Sequence, residues 1–184
     1  MGKVEDLAER FGQHLSLPLS ATGVAAERVL IVVYDKELEC PLRERFTEFE
    51  TRAVAAGRTW KRFDCTRLFA EWMASLDYRD AYFQEPEHLA AKIEGEFKKL
   101  VVEKLREALQ GTDTRTVLAV TGTASLYGFT RLSEVVRDIE ADVRGCLAVF
   151  FPGTKDQNNY RLLDARDGWN YLAHSISLHS EGEK

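Results

Sequence analysis

Thr116-Val117-Leu118-Ala119-Val120-Thr121-Gly122-Thr123-Ala124-Ser125-Leu126-Tyr127-Gly128 is the stretch whose reading decides the fold. Its first half is a short, unbroken apolar run. Its second half holds two glycines among small hydroxyl residues. A helical pattern begins at about Leu132. An apolar run of this length, opening into a glycine-containing turn and then a helix, reads as a buried strand feeding an α/β unit.

Working outward, Arg28 to Asp35 is the clearest companion strand, apolar on both faces and therefore expected inside a covered parallel sheet. Thr59 to Asp64 is shorter and more polar, which predicts a strand near the sheet edge. Cys146 to Phe151 is a further buried strand, with Pro152-Gly153 read as its stop. Trp169 to His174 alternates enough for a last edge strand. Between these runs lie helical patterns. Pro41, Leu42, Phe46, Phe49 and Val54 share one face. Leu68, Phe69, Trp72 and Met73 follow a possible Thr66 cap. Tyr78, Tyr82 and Phe83 fall in a short connection ending before Pro86. Leu89 to Leu105 traces a long helix ending near Gly111, and Leu132 to Ile139 the last one. Val4, Leu7, Ala8, Phe11 and Leu15 predict a short N-terminal helix whose docking place the sequence leaves open.

The alternation predicts an α/β fold: a mainly parallel open sheet of about five strands with helices on both faces, a Rossmann-like or P-loop-like three-layer sandwich. Residues 1–184 read as a single domain, with a helix and linker over 1–23, a core over 28–174 and a fraying tail over 175–184.

The 184 residues carry a net charge of −5, which supplies no bulk attraction to nucleic acid or to an anionic membrane. Direct nucleic-acid binding is not expected. The three cysteines, Cys40, Cys65 and Cys146, form no CxxC pair, which argues against a disulfide framework and for a reducing compartment. The acidic start, Met1 to Asp6, does not resemble a signal peptide, and no apolar run reaches membrane-spanning length. The expected location is cytoplasmic.

In an open parallel sheet, ligands bind beyond the carboxyl ends of the strands. That rule selects Tyr34, Asp35, Asp64, the loop Thr121, Gly122, Thr123, Ser125 and Gly128, and Pro152-Gly153 as a possible ligand rim. The loop could cradle phosphate on backbone N–H groups, yet it lacks the Lys-Ser/Thr pair of a P-loop and is not GxGxxG. The plainer reading is a βα turn with glycine at positive φ. Asp35 and Asp64 could hold a metal or act as acid and base; capping or loop hydrogen bonding is the plainer reading. Ser125 lacks the GxSxG setting of a hydrolase elbow. His14, His88, His174 and His179 show no ligand spacing. The mixed charges of the helix from Glu94 to Glu107 read as a solvated, ion-paired face. No metal or cofactor is called for.

The densest polar–aromatic segment is Asn158 to Tyr171. Tyr, Trp and Arg anchor interfaces, so Asn158, Asn159, Tyr160, Arg161, Arg166 and Trp169 are candidate partner-binding residues. A loop stitched by its own hydrogen bonds is the structural alternative.

Phe150-Phe151-Pro152-Gly153 followed by Asn158-Asn159-Tyr160-Arg161-Leu162-Leu163-Asp164-Ala165-Arg166-Asp167-Gly168-Trp169-Asn170-Tyr171-Leu172 resembles the C-terminal signature of the BrxB family, small proteins of bacterial BREX phage-defence systems. Val32 to Asp35, Trp60 to Asp64, Tyr78 to Phe83 and Ser125 to Phe129 fall in the matching order, so the likeness spans about Arg28 to Ala173. The resemblance implies phage restriction within a multiprotein system that includes an adenine methyltransferase, a large ATPase and PglZ, a protein with an alkaline-phosphatase-like domain. It implies no catalytic residues. The expectation is a non-enzymatic adaptor with a PglZ-like protein and other BREX components as partners. The alternatives are a nucleotide- or phosphate-binding domain using the Thr121–Gly128 loop, and a metal-dependent nuclease or phosphatase built on Asp35 and Asp64.

Overall fold

The computed structural model describes residues 2–18, 23–163, 165 and 168–178. Strands β1 (Val29–Tyr34) and β3 (Thr116–Thr121) are buried at every residue, as their two-sided apolar runs require. With β2 (Thr59–Asp64), β4 (Cys146–Asp156) and β7 (His174–Ile176) they form a parallel sheet in the order β2-β3-β4-β1-β7. β2 is an edge strand in which only Trp60 and Phe63 are partly buried, as its polar sequence predicts.

Alternate residues of each strand feed two separate cores. Leu30, Val32, Tyr34, Val117, Ala119, Ala148 and Phe150 pack under α1 (Lys3–Ser16), α2 (Glu39–Glu44) and α3 (Phe46–Ala55). Ile31, Val33, Leu118, Val120, Leu147, Val149 and Phe151 pack under α4 (Leu68–Ser75), α7 (Lys98–Leu109) and α8 (Leu132–Ile139). The three-layer α/β sandwich follows from this period-two division of the strands. The N-terminal helix docks on the sheet: Val4, Leu7, Ala8, Phe11 and Leu15 are all buried. Phe11 meets Phe49 edge-on at 5.5 Å and Trp60 at 6.1 Å.

Several local expectations change. The helix after β1 is two helices, broken at Arg45. Ala53 is buried there in place of Val54, which is exposed. Tyr78 precedes a helix of its own, α5 (Arg79–Gln84), which buries none of its residues. Thr66 does not cap α4; its hydroxyl donates to Asp64 Oδ1 at 2.6 Å. The long charged helix reaches α7 from α6 (Ala90–Lys92) through a π turn at Ile93–Phe97. Its charges pair as expected. Lys92 meets Glu96 and Lys99 meets Glu103, while Lys98 and Arg106 reach Glu134 and Asp142 near α8.

The largest correction lies at the C-terminal end. Pro152-Gly153 does not stop β4. The strand runs on to Asp156 and returns as β5 (Asn159–Leu162), with β6 (Trp169–Asn170) alongside. Pro152 marks a change of partner: β4 pairs with β1 through the Tyr34–Pro152 register and with β5 from Gly153 onward. Gly153 is required there, because a Cβ would stand 2.0 Å from the Arg161 carbonyl oxygen. The sheet edge beside β1 is therefore supplied by His174–Ile176, and Trp169-Asn170 belongs to the antiparallel extension.

Candidate functional site at the carboxyl rim

The chain leaving β1 enters the α1/α2/α3 layer, while the chain leaving β3 enters the opposite layer. The carboxyl ends between them are where an open α/β sheet offers a crevice. Two hollows lie there. One is a narrow crevice of about 10 Å³ beside Tyr34, Glu39, Arg43, Arg62, Asp64 and Thr121. The other is an open groove of about 840 Å³ over the end of β1, walled by α1, the β4 extension and the segment from β7 to Leu178.

The narrow crevice is closed by its own polar groups. Tyr34 donates to Glu39 Oε2 at 2.5 Å, and Arg43 donates to Glu39 Oε1 at 2.7 Å. Burial, then the hydrogen bond to Glu39, pushes the Tyr34 hydroxyl far above its usual range. Asp64 Oδ1 accepts from the Thr66 backbone N–H at 3.0 Å and from its hydroxyl. Burial opposes ionisation of Asp64, but the two Thr66 bonds, with Arg62 and Arg43, hold its carboxyl below the usual carboxylate range. Arg62 also lies over the Phe46 ring at 4.6 Å. This is the loop-stitching role for Asp64, assembled with Glu39, Arg43 and Arg62, which carry no motif that singles them out.

Asp35 and Asp64 do not share a site. Asp35 follows β1 and Asp64 ends β2, and these strands are three spacings apart, roughly 14 Å. That span exceeds what one metal ion bridges at ~2 Å per ligand. Among the described residues, no group of three His, Cys, Asp or Glu side chains is placed to hold a metal. Asp35 instead lies 4.0 Å from Lys3, on the groove side.

The loop after β3 turns its polar groups inward. Gly122 has φ of 68°, and a Cβ there would meet Thr66 Oγ1 at 2.4 Å and Asp64 Oδ1 at 2.6 Å. Thr121 accepts from Arg62 at 3.2 Å. Thr123 is fully buried and donates to the Phe150 carbonyl at 2.7 Å, pinning the loop to β4. The N–H groups of Ser125, Tyr127, Phe129 and Thr130 are all taken by carbonyls of the same loop. Gly128, at φ of 82°, is exposed, and a Cβ there would meet nothing within 4 Å among the described residues. α8 begins only at Leu132. The segment is a βα turn with glycine at positive φ, and these four N–H groups are not available to a phosphate.

The Asn158–Tyr171 segment divides by strand face. Tyr160 and Trp169 face each other in register and are buried, forming a ladder from Phe151 through Tyr160 and Trp169 to Tyr171. Neither is a surface anchor, which corrects that expectation: the two-residue period sends their rings into the core. The opposite face carries Asn159, Arg161 and Asn170, with Asn158 exposed at the turn and Leu172 74% exposed beyond it. The Asn159 side chain lies directly over Gly168, where any Cβ would clash. Arg166 lies outside the described residues, as does His179. The Tyr160 hydroxyl and Trp169 Nε1 are buried without a hydrogen-bond partner among the described residues, whereas Tyr171 donates to Glu140.

Tyr34, Asp35 and Gly153 of the expected rim line the open groove; its basic wall is the feature that sequence reasoning missed. Arg10 and His14, one helical turn apart on α1, come together with Lys155 of β4 and His174 of β7. Helical spacing on α1 was the only available signal, and it does not reveal residues 140 or more positions away. No protein-family profile, curated protein or solved structure matches this chain.

Proposed function

We propose that this protein is a non-enzymatic adaptor of a BREX-type bacteriophage defence system that docks on a PglZ-like protein. The resemblance of its C-terminal segment to the BrxB signature motivates the reading. The observation that carries it is the outward face of the antiparallel extension: Asn158, Asn159, Arg161, Asn170 and Leu172 stand on a rigid aromatic ladder at one end of the sheet. A polar surface with one Arg and one exposed apolar residue, held by buried aromatics, has the make-up of a recognition patch. Such a patch loses little entropy on binding, because strand pairing already orders it.

The test is co-purification with a tagged PglZ-like protein from the same source. Association at micromolar concentration is expected, and Arg161→Glu with Leu172→Asp should abolish it while leaving the circular dichroism spectrum unchanged. No association between the two folded proteins, or association indifferent to both substitutions, refutes the proposal.

A further inference from the structure

The groove over the end of β1 gathers four basic side chains on a protein whose net charge, with histidines neutral, is −5. Arg10, His14, Lys155 and His174 line it, from three different elements. Among the described residues its one lining carboxylate is Asp35, which Lys3 faces at 4.0 Å. Arg10 spends one N–H on the Ser177 carbonyl, at 2.7 Å, which fixes the guanidinium at the groove wall with its remaining donors. The His14 and His174 rings stand 5.3 Å apart between centroids. Two imidazoles at that distance resist joint protonation, and burial, then the charge of His174, lowers the pKa of His14. An anion beside both rings would offset that repulsion and favour their protonation. At about 840 Å³, the volume lies in the range of small-molecule sites, well beyond the needs of a lone phosphate ion.

We propose that this groove binds a phosphate-bearing small molecule of nucleotide size, gripped by Arg10, His14, Lys155 and His174. The site is separate from the outward face proposed to meet a protein partner and stands or falls independently of it. Binding is proton-linked. The charged groups facing the imidazoles are Arg10 on α1, Lys155 on β4, and Asp35 with its Lys3 partner at the end of β1. Histidine is the side-chain type that ordinarily changes charge near neutral pH, so the protein's share of the pH response is assigned to the imidazoles. The phosphate's own ionisation, at about pH 6, is common to the wild-type and His174→Gln proteins and cancels in their comparison. The phosphate draws protons onto the imidazoles as it binds.

Titration calorimetry with ATP, pyrophosphate and adenosine, near pH 6 and near pH 8, tests this on the full chain. The histidine ring signals are followed by NMR in parallel. ATP and pyrophosphate should bind about tenfold or more tightly at the lower pH, with proton uptake seen in buffers of different ionisation enthalpy. Both histidine signals should shift, and adenosine should not bind. His174→Gln, at an exposed position, should remove most of the pH dependence, and Arg10→Gln should weaken binding at both pH values. Ser125→Ala, in the turn after β3, should change nothing. Absence of heat and of histidine shifts at ~5 mM of either phosphate compound overturns the proposal. So does binding that ignores pH, or adenosine binding as tightly as ATP.

Discussion

Two glycines of the turn after β3 offer a controlled comparison. Gly122 and Gly128 both sit at positive φ, 68° and 82°. A Cβ at Gly128 meets nothing within 4 Å, whereas one at Gly122 would press on Thr66 Oγ1, Asp64 Oδ1 and the Thr66 amide nitrogen at 2.4, 2.6 and 2.9 Å. Gly128→Ala therefore pays only for the left-handed backbone, about 1–2 kcal/mol. Gly122→Ala pays the same and also displaces the two hydrogen bonds that Thr66 makes to Asp64, about 0.5–1.5 kcal/mol each. The expected totals are roughly 1.5 and 3.5 kcal/mol. At ~2–4 °C per kcal/mol for a chain of this size, that lowers Tm by about 4 °C and about 10 °C. Urea unfolding followed by tryptophan fluorescence measures both. In an Asp64→Ala background the hydroxyl of Thr66 is released to rotate, so the excess cost of Gly122→Ala should shrink, a non-additivity of about 1 kcal/mol. Equal costs for the two glycines, or strict additivity with Asp64→Ala, would refute the claim that this turn is shaped by close approach of the β2 and β3 ends.

Further expectations follow from single environments. Phe11→Ala, in the fully buried aromatic cluster under α1, should cost about 3–5 kcal/mol by chemical denaturation; a loss below ~1 kcal/mol would mean that α1 does not dock. Tyr160→Phe removes a buried hydroxyl that has no partner among the described residues, so it should leave stability unchanged or raise it by up to about 1 kcal/mol; a clear loss in the same assay would show that the hydroxyl is satisfied. Burial pushes the Cys65 and Cys146 thiols up to about 12 while Cys40 is exposed, so a thiol reagent at neutral pH should label Cys40 alone until the protein unfolds. The Asp64 carboxyl is held below its ordinary value of 3.8, so its contribution is present above that value and fades as pH falls through the lower folded one. Asp64→Asn should accordingly cost stability at neutral pH, about 0.5 kcal/mol given the exposure of the group, and the difference should shrink as pH falls below 3.8.

Much of the molecule could be read before any coordinates. Val29 to Tyr34 and Val117 to Val120 are apolar at consecutive positions, and only a strand covered on both faces buries such a run. Most helix faces followed from spacing, Pro41 and Val54 being exposed exceptions, and the polar β2 sequence marked an edge. The antiparallel extension was not legible. Its turn, Gln157-Asn158, has no glycine although Gln157 takes φ of 53°, and Pro152-Gly153 imitates a stop. Gln157→Gly should stabilise the hairpin by about 1 kcal/mol for that reason.

The sequence by itself determined the layers, because whether a strand can have one or two wet faces is a property of its own side-chain alternation. Which residues meet at the rim was decided only by the order of the strands. Placing β4 and β3 between β1 and β2 holds Asp35 and Asp64 apart, and placing β7 beside β1 brings His174 to His14 across 160 residues of chain. Strand order is a global packing outcome, settled by how the crossover helices share two faces, and no local pattern encodes it.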